Sequence, residues 1–532
     1  MKSECLPFRQ VPHTTPLFTD FLSYSSKVHP FYPRSAHFTQ WFKDEAASIN
    51  YQAERRSKVA EMLERQNRAF GNSDKTLKNV DRLRKGAFAV VTGQQVGLFG
   101  GPAFAVYKAL TAVKLAEVAS AAGVDCVPIF WLATEDHDLA EVNHTSLLGP
   151  DGTLQSLRTP SHGVEDAPVG TITFGSEIEA VVNAAADLLG DSEIVVALRE
   201  SYRPGETFGT AFGKLFARIF AGQGVILLDS SDPELHRIAT PIYRAAIERA
   251  AELDEALSTR GKELESAGYH QQVKVSSSAT LLFNIRNGVR LPIQRKDNNF
   301  LVEEGSISRD DLLQRVESCP QNFSAKVLLR PVMQDFLLPT IAYTGGSAEV
   351  AYFAQAAVVY EKLLGRVTPI IPRFSATLLE QKPQAILNHF QLSFTDVLSG
   401  TIREQLAARA LPSELQAAFD NAKIMLENSL QPIRAALARL DKTLVDAAET
   451  ATSKMSHQLE SLREKAARAE LRQNEVLDRK AAYLSNALYP NKVLQERELP
   501  GIYFLARHGK DLLSGLYDLI HPDCLDHQLI SL

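Results

Sequence analysis

The feature that most constrains the fold is a strand–loop–helix unit in the first quarter of the chain. Ala87–Val91 is a short apolar run typical of a buried strand, and Ala103–Ala121 has apolar residues at helical spacing. Three later runs have the same strand-like character: Val127–Leu132, Val225–Asp229 and Val367–Ile371. Because such strands alternate with helical segments, the sequence predicts an α/β fold with a mainly parallel, doubly wound sheet.

Composition narrows the class of protein. The chain has 532 residues, of which 45% are hydrophobic and 23% charged, and its formal net charge is -6. This charge argues against a nucleic-acid partner, for which a basic surface is usual. Four widely spaced cysteines without a CxxC pair favour a reducing cytoplasm over a disulfide framework. Neither a secretory signal nor a membrane-spanning stretch is recognisable, so we expect a cytoplasmic protein with no membrane partner.

Shifts in composition predict three parts. They are a core at residues 1–375, a helical domain at 376–485 and a C-terminal segment at 486–532 that packs back on the core. Connecting segments are expected to interrupt the core at about 150–220 and 270–330. Within the second of these, Thr280–Ile285 and Gly288–Ile293 are predicted to form a hairpin or the edge of a small subdomain.

The helical domain has the periodicity of a coiled coil. Apolar residues three and four positions apart are Leu426, Leu430, Ile433, Leu437, Leu440 and Leu444. After a phase shift the pattern resumes with Met455, Leu459, Leu462 and Ala466. A bundle packed within one chain and a coiled coil between two chains fit equally well. Pro412 and Pro432 are expected to break or bend the helices.

A glycine-rich loop, TGQQVGLFGGP at Thr92–Pro102, joins the first strand to its helix. Backbone N–H groups at such a turn and at the following helix start attract anions. Gln94 and Gln95 add side-chain donors and acceptors. The loop matches neither a Walker A sequence nor GxGxxG. A phosphate or carboxylate cradle and a tight structural turn therefore both remain open.

A dense group of polar residues, EDHDLAEVNH, follows the strand Val127–Leu132 directly. Its candidate site residues are Glu135, Asp136, His137, Asp138, Asn143 and His144. Carboxylates this close together shift each other's pKa values, and a histidine among them suits a general base. No standard metal motif is matched, so no tightly bound metal is expected. The alternative is a solvated acidic loop that caps a helix.

Two further segments supply cations and tyrosines. In RPVMQDFLLPTIAYTGGSAE the candidates are Arg330, Asp335, Tyr343, Gly346 and Glu349. Ser347 is the expected N-cap of the helix that follows. Arg373, in the segment PRFS, suits either a carboxylate or phosphate ligand or a structural ion pair. Because TGQQ, EDHD and PRFS each follow a presumed parallel strand, they are expected to meet at one edge of the sheet.

Four blocks of this sequence together resemble the bacillithiol biosynthesis cysteine-adding enzyme family. They are TGQQVGLFGGPAFAVYKALTAVKLAE, VPIFWLATEDHDLAEVNH, LLRPVMQDFLLPTIAYTGGSAEVAYFAQ and PIIPRFSATLLE. The resemblance runs in order over most of the chain and is weakest near residues 150–200. It implies a Rossmann-like core similar to nucleotidylyl transferases, small connecting subdomains and an α-helical coiled-coil domain used to form a homodimer.

The resemblance also implies a reaction, the addition of cysteine to glucosaminyl malate in the last step of making the thiol bacillithiol. On this interpretation the pocket is lined by Thr92, Gln94 and Gln95. The acceptor amine is held or deprotonated by Glu135, Asp136, His137 and Asp138. The carboxylates of malate or cysteine are contacted by Arg330, Tyr343, Glu349 and Arg373.

Amide formation from a carboxylic acid is uphill in water without activation. We therefore expect ATP with Mg²⁺ to activate the cysteine carboxyl, although no strong ATP motif is present and nucleotide binding near the helical domain is an open alternative. Two other functions remain open. One is a nucleotidylyl transferase or amino-acid-activating enzyme of other specificity, and the other is a non-catalytic, nucleotide-binding coiled-coil scaffold.

Overall fold

The elements of the fold are taken from a computed structural model, which describes residues 1–160, 166–276, 278–297, 299–303 and 305–532. The strands are β1 (Lys2–Leu6), β2 (Phe88–Gln94), β3 (Cys126–Leu132), β4 (His144–Leu148), β5 (Leu154–Arg158), β6 (Ile226–Asp229), β7 (Ala279–Arg286), β8 (Val289–Lys296), β9 (Asn299–Val302), β10 (Gly305–Ser308), β11 (Phe323–Ala325), β12 (Thr340–Gly345), β13 (Ile370–Pro372), β14 (Ala376–Leu379) and β15 (His527–Ser531).

The α-helices lie mainly between these strands and in the C-terminal third. They are α1 (Pro16–Leu22), α2 (Phe42–Ser48), α3 (Ala53–Ala69), α4 (Asp74–Lys85), α5 (Ala103–Ala121), α6 (Leu139–Val142), α7 (Ile178–Leu189), α8 (Glu193–Ser201), α9 (Phe208–Ile219), α10 (Pro233–Glu248), α11 (Ala250–Ser266), α12 (Arg309–Ser318), α13 (Arg330–Leu337), α14 (Ser347–Leu364), α15 (Gln381–His389), α16 (Phe394–Leu398), α17 (Ile402–Arg409), α18 (Ser413–Leu440), α19 (Leu444–Gln473), α20 (Glu475–Leu488), α21 (Gln495–Glu498), α22 (Gly501–His508) and α23 (Asp511–Leu519).

The central sheet has five strands in the order β13-β12-β2-β3-β6, and every neighbouring pair is parallel. The chain first builds β2, β3 and β6 outward in one direction. It then crosses to the other side of β2 for β12 and β13. The strand order therefore reverses between β2 and β12, which is where ligands bind in doubly wound sheets. The predicted α/β doubly wound class is confirmed.

The last strand of this sheet is shorter than the sequence predicted. Val367–Ile371 was the expected strand, whereas β13 begins at Ile370. Pro369 has no N–H to donate to a ladder, although its carbonyl still accepts from the Tyr343 amide at 3.0 Å. The strand proper thus starts after the proline.

The open edge at β6 is covered by two side chains of α3. Asn67 accepts from the Leu227 amide at 2.9 Å and donates to the Leu227 carbonyl at 2.8 Å. Gln66 makes the equivalent pair with Asp229, at 2.9 Å to the amide and 3.3 Å to the carbonyl. The two amides take the place of a sixth strand and leave no unpaired backbone at this part of the edge.

Helix α5 is apolar on all sides because it is covered on two faces. It packs against β2 and β3 on one face and against α21, α22 and α23 on the other. The predicted bounds Ala103–Ala121 are confirmed. The C-terminal strand β15 pairs with β1 from the N-terminus and with β14, so both ends of the chain meet beside this layer.

The connecting segments carry their own small sheets. Strands β4 and β5 form one hairpin, and β7 to β11 form an antiparallel sheet in the order β10-β9-β8-β7-β11. The predicted hairpin is confirmed, with Asn287 and Gly288 both at positive φ in its turn. Residues 161–165 of the first segment, and 277, 298 and 304 of the second, lie outside the described residues.

The two longest helices of the helical domain, α18 and α19, form an antiparallel hairpin. Arg434 pairs with Glu449, and Arg463 pairs with Asp420 at 3.4 Å, so the two helices run in opposite directions. Pro412 precedes α18 as expected, whereas α18 continues through Pro432, so the helix has no break at that residue. A proline φ suits a helix, and the turn between the helices falls at Asp441 instead. In the described part of the chain, no helix is long and apolar enough to cross a membrane.

The covered edge of the sheet gives a test of the fold. Asn67→Leu leaves the buried N–H and C=O of Leu227 without partners, so we expect the free energy of unfolding to fall by about 2–4 kcal/mol. Urea unfolding followed by circular dichroism measures this. Asn388→Leu, at an exposed position of α15, is the control and stays close to wild type. Equal effects of the two substitutions would contradict the role of Asn67.

Candidate active site

A cavity of about 850 Å³ opens at the carboxyl edge of the parallel sheet. Each strand of the sheet contributes to its lining: Gln94 from β2, Ala133 after β3, Ser230 after β6, Tyr343 from β12 and Arg373 after β13. The other walls come from the β7–β11 region and the C-terminal segment, with Phe283, Arg290, Lys326, Arg330, Arg497 and Glu498. The prediction that TGQQ, EDHD and PRFS meet at one edge is confirmed.

Three lining residues carry buried polar atoms without a hydrogen-bond partner among the described residues. They are Trp131 Nε1, Glu135 Oε1 and His144 Nδ1. Folded proteins pair nearly all buried polar atoms, because an unpaired one costs free energy. Three such atoms around one cavity indicate a site for a polar ligand.

Glu135 is almost fully buried, with 6% of its surface exposed. Burial raises its pKa to about 8, against the opposing effect of the Arg290 charge. His236 Nε2 lies 3.5 Å from Glu135 Oε1, and burial lowers the pKa of His236 to about 4. A carboxyl group that titrates near neutral pH beside a neutral imidazole is suited to exchange a proton with a substrate.

His137 is oriented by a fixed guanidinium. Arg290 Nη1 lies 3.4 Å from His137 Nδ1, and Asp136 Oδ1 lies 3.7 Å from the same nitrogen. Arg290 is itself held by the Ser324 hydroxyl at 2.8 Å and the Ala325 carbonyl at 2.9 Å. The imidazole of His137 therefore lies half-exposed in the cavity with its neighbours set by the antiparallel sheet.

A second polar network, built around Lys108 and Glu349, crosses the cavity wall between β2 and β12. Lys108 Nζ donates to the Gly93 carbonyl at 2.8 Å, to Gln94 Oε1 at 2.9 Å and to Glu349 Oε2 at 2.5 Å. Glu349 also accepts from the Tyr343 hydroxyl at 2.6 Å. Burial alone would raise the pKa of Glu349, but Lys108 and these hydrogen bonds hold it below its usual range. The ion pair is thus a rigid part of the wall.

The start of α14 differs from the prediction. Gly346, and not Ser347, is the N-cap, and Glu349 Oε2 accepts from the Gly346 amide at 2.8 Å. The glutamate three positions into the helix thereby serves the first turn, as in a capping box. The Gly346 amide is therefore paired within the protein.

The backbone amides of the glycine-rich loop donate hydrogen bonds within the protein. Gly97, Gly100 and Gly101 donate to carbonyls within the loop at 3.0, 3.2 and 3.1 Å. Ala103, at the start of α5, donates to the Leu499 carbonyl at 2.8 Å. A side chain at Gly97 would lie 3.0 Å from the Gly101 Cα atom, which explains the small residues. These four amides form a tight structural turn and are not free to cradle an anion.

Arg373 is engaged in a structural ion pair. Its Nη2 donates to Glu496 Oε1 at 2.6 Å and its Nη1 to the Phe374 carbonyl at 2.8 Å, and both charged side chains are buried. Arg497, which follows Glu496 in the sequence, lines the cavity, and its guanidinium lies 5.9 Å from the centre of the Phe104 ring. Among the described residues no carboxylate lies within ion-pair distance of Arg497.

Comparison with known proteins agrees with this architecture. Residues 1–374 match the model of the N-terminal Rossmann-like domain of the bacillithiol biosynthesis protein BshC, and residues 376–532 match its C-terminal coiled-coil domain. The chain belongs to the BshC family. The resemblance noted from four sequence blocks is confirmed, as are the Rossmann-like and coiled-coil parts of the predicted fold.

Relatives in the BshC family cover the whole chain. A protein of Koribacter versatilis is 50% identical over 532 residues, all of both chains. One of Solibacter usitatus is 36% identical over 537 residues, again all of both chains. One of Geobacillus thermodenitrificans is 28% identical over 534 residues, 98% of each chain. All three are named "Putative cysteine ligase BshC".

Most of the predicted site residues do line the cavity of this BshC-family chain. They are Gln94, Gln95, Glu135, Asp136, His137, His144, Arg330, Tyr343, Gly346, Glu349 and Arg373. Four others lie elsewhere: Thr92, Asp138, Asn143 and Asp335.

Two of those four are buried in the structural core. The Thr92 hydroxyl donates to the Thr344 carbonyl at 2.8 Å and so joins β2 to β12. Asp335 is buried on α13 and accepts from the Tyr360 hydroxyl. Both side chains therefore support the sheet and its helices, away from the cavity lining.

The other two organise the segment after EDHD. Asp138 caps α6 by accepting from the Glu141 amide at 3.2 Å. Asn143 Oδ1 accepts from Arg158 Nη1 at 2.8 Å, across the β4–β5 hairpin. The helix-capping alternative thus applies to Asp138, while Glu135, Asp136 and His137 line the cavity.

Four residues that line the cavity were not predicted from the sequence: Lys108, Arg290, Lys326 and Arg497. A signal existed for Lys108, because it is a single charge within the apolar first turns of α5. Arg290 and Lys326 lie on a small sheet whose contact with the cavity no local pattern reveals. Arg497 lies more than a hundred residues beyond the last predicted site residue.

The buried carboxyl of Glu135 predicts a pH effect on stability. The folded chain keeps this proton up to about pH 8, whereas the unfolded chain releases it near the ordinary glutamate pKa of 4.5. The unfolded state therefore binds fewer protons between these values, and the free energy of unfolding falls as pH rises through that range.

Glu135→Gln cannot ionise, so its free energy of unfolding is not expected to fall in this way. The difference in free energy of unfolding between variant and wild type is expected to favour the variant by a few kcal/mol more at about pH 8 than at about pH 5. Urea unfolding at the two pH values measures the difference. Glu404→Gln, at an exposed position of α17, is the control and tracks wild type. Parallel pH profiles for wild type and Glu135→Gln would show that Glu135 is ionised throughout.

Proposed function

We propose that the chain is a ligase that joins the carboxyl group of cysteine to the amine of glucosaminyl malate, forming an amide in bacillithiol biosynthesis. The observation that carries the proposal is the buried Glu135 carboxyl on the cavity wall, whose Oε1 atom has no hydrogen-bond partner among the described residues and whose pKa is raised to about 8. The names of the family relatives support the choice of cysteine as the added group.

An amine attacks a carbonyl only after it has lost a proton. Glu135 suits this step, because a base works best when its pKa lies near the working pH. A substrate ammonium beside the carboxylate favours the ionised form and so prepares the transfer. His137 Nδ1 accepts from Arg290 Nη1 at 3.4 Å, which leaves the ring proton on Nε2, and we propose that this N–H group donates to a polar oxygen of the acceptor.

The cysteine carboxyl needs a leaving group before the amine can displace it. We propose that ATP, with Mg²⁺, transfers a phosphoryl or adenylyl group to a carboxyl oxygen, and that the amine then displaces phosphate or AMP. Lys326 supports an anion in this region, since its ammonium has no carboxylate partner among the described residues and lies 5.1 Å from the centre of the Phe283 ring. Burial lowers its pKa to about 8, so it stays largely charged at neutral pH.

The direct test is a mass-spectrometric assay of the purified full-length chain with cysteine and glucosaminyl malate. We expect the cysteinyl amide only when ATP and Mg²⁺ are present, together with either AMP and pyrophosphate or ADP and phosphate. Formation of the amide without nucleotide would contradict the activation step. Absence of the amide from a folded protein, with pyrophosphate exchange on another amino acid, would contradict the choice of cysteine.

Two variants connect this assay to the site. Glu135→Gln is expected to lower kcat by about 10²- to 10⁴-fold, the usual contribution of a general base, and His137→Ala is expected to lower kcat by a smaller factor. Both proteins are expected to retain their fold by circular dichroism. Glu404→Gln serves again as the matched control with wild-type turnover. Wild-type kcat in either site variant would show that the residue takes no part in the reaction.

We also propose that the protein is a homodimer through its α18–α19 hairpin. Ile433 and Leu440 on α18 are 51% and 78% exposed, and Met455 and Leu462 on α19 are 41% and 57% exposed. Each pair is seven residues apart, which places its members on one face of its helix. A second copy of the hairpin would remove these apolar side chains from water.

Light scattering of the intact protein is expected to give twice the chain mass of 58.6 kDa. Ile433→Glu together with Leu462→Glu is expected to give the mass of one chain, because charges do not enter an apolar helix seam. Gln431→Glu lies about 200° around α18 from Ile433 and is expected to leave the dimer intact. A wild-type mass of one chain would refute the proposal.

A further inference from the structure

Each of the four residues of α21 makes a different contact beside the cavity. Gln495 is buried and pairs with both the amide and the carbonyl of Leu378, at 2.8 and 2.9 Å. Glu496 accepts from Arg373 at 2.6 Å. Glu498 accepts from the Ser146 hydroxyl at 2.6 Å. Arg497 extends into the cavity between two anchored neighbours.

Within the part of the chain that the structure describes, Arg497 forms no ion pair. The guanidinium of Arg373 is already paired with Glu496, and Lys108 is paired with Glu349. Glu498 is hydrogen-bonded to Ser146. The guanidinium carbon of Arg497 lies over the Phe104 ring, 5.9 Å from its centre.

We propose that Arg497 binds a carboxylate of the malyl group of the acceptor. The inference rests on the proposed function. It assigns carboxylate recognition to Arg497 and not to Arg373, whose ion pair with Glu496 holds Arg497 in position. A guanidinium binds a carboxylate through two parallel hydrogen bonds, and a free one on the wall of a cavity is suited to that geometry.

The malyl carboxylates fit this position better than the cysteine carboxylate. The cysteine carboxyl must react with the amine, so it belongs beside Glu135 and His137. Arg497 lies beside a different part of the cavity wall, where its guanidinium and that of Arg373 both lie over the Phe104 ring. Arg497 is therefore a binding residue for the acceptor, while the Arg373–Glu496 pair positions it.

Burial and the nearby Arg373 charge both lower the pKa of Arg497, while Glu496 and Glu349 oppose that change. A bound carboxylate supplies the opposite charge that the guanidinium lacks. Removing one charge-assisted contact of this kind usually weakens binding by about 10- to 100-fold.

The test is steady-state kinetics of the full-length chain with Arg497→Ala, Arg497→Lys and the control Arg479→Ala, an exposed arginine on α20. Arg497→Ala is expected to raise KM for glucosaminyl malate about 10- to 100-fold, with KM for cysteine unchanged and kcat within about threefold of wild type. Arg497→Lys is expected to recover part of the loss, and Arg479→Ala to match wild type. Melting temperatures of the variants confirm that each is folded.

An unchanged KM for glucosaminyl malate in Arg497→Ala would overturn the proposal. So would an equal rise in both KM values, since that result indicates a general structural role.

Calorimetric titration with L-malate separates this inference from the proposed function. If wild type binds malate, Arg497→Ala does not, and neither forms the amide, Arg497 stands as a carboxylate site and the ligase proposal fails. If wild type forms the amide and Arg497→Ala binds malate equally well, the ligase proposal stands and the role of Arg497 fails. If wild type neither binds malate nor forms the amide, both are wrong.

Discussion

The buried ion pair between Arg373 and Glu496 holds the Rossmann-like sheet and the C-terminal segment together at the cavity. Glu496 also accepts from the Ser375 hydroxyl at 2.9 Å and the Ala376 amide at 3.0 Å, so every contact ties α21 to the chain leaving β13. Taking two charges out of water offsets much of their attraction, whereas removing one partner costs about 3–5 kcal/mol. The pair therefore acts chiefly by fixing position.

The site depends on that position in two ways. The C-terminal segment covers α5, whose first amide donates to Leu499, and it supplies Arg497 and Glu498 to the cavity. The parallel sheet supplies Glu135 and His137 from the loop after β3. Neither family module encloses the cavity alone, which gives a physical reason for the presence of both in one chain.

Much of the architecture could be predicted from the sequence, because its signals are local. Buried parallel strands are continuous apolar runs, α5 starts after a proline, and the β7–β8 turn is an Asn-Gly pair. Loops that follow parallel strands share one edge of the sheet, so the meeting of TGQQ, EDHD and PRFS could also be predicted from the sequence.

The rest depends on contacts between residues far apart in the chain. Thr92 and Glu135 both stand at the end of a strand, and only the packed structure shows that one supports the sheet while the other faces a cavity. The pairing of Arg373 with Glu496 spans 123 residues, so a sequence pattern could not show that Arg373 is occupied and Arg497 free.

The central claim is that this cavity presents the acceptor amine to a buried base. A crystal structure with glucosaminyl malate bound tests it most directly. We predict the amine nitrogen within hydrogen-bond distance of a carboxylate oxygen of Glu135, about 2.7–3.2 Å. An amine that faces away from Glu135, or a ligand bound outside the cavity, would contradict the account.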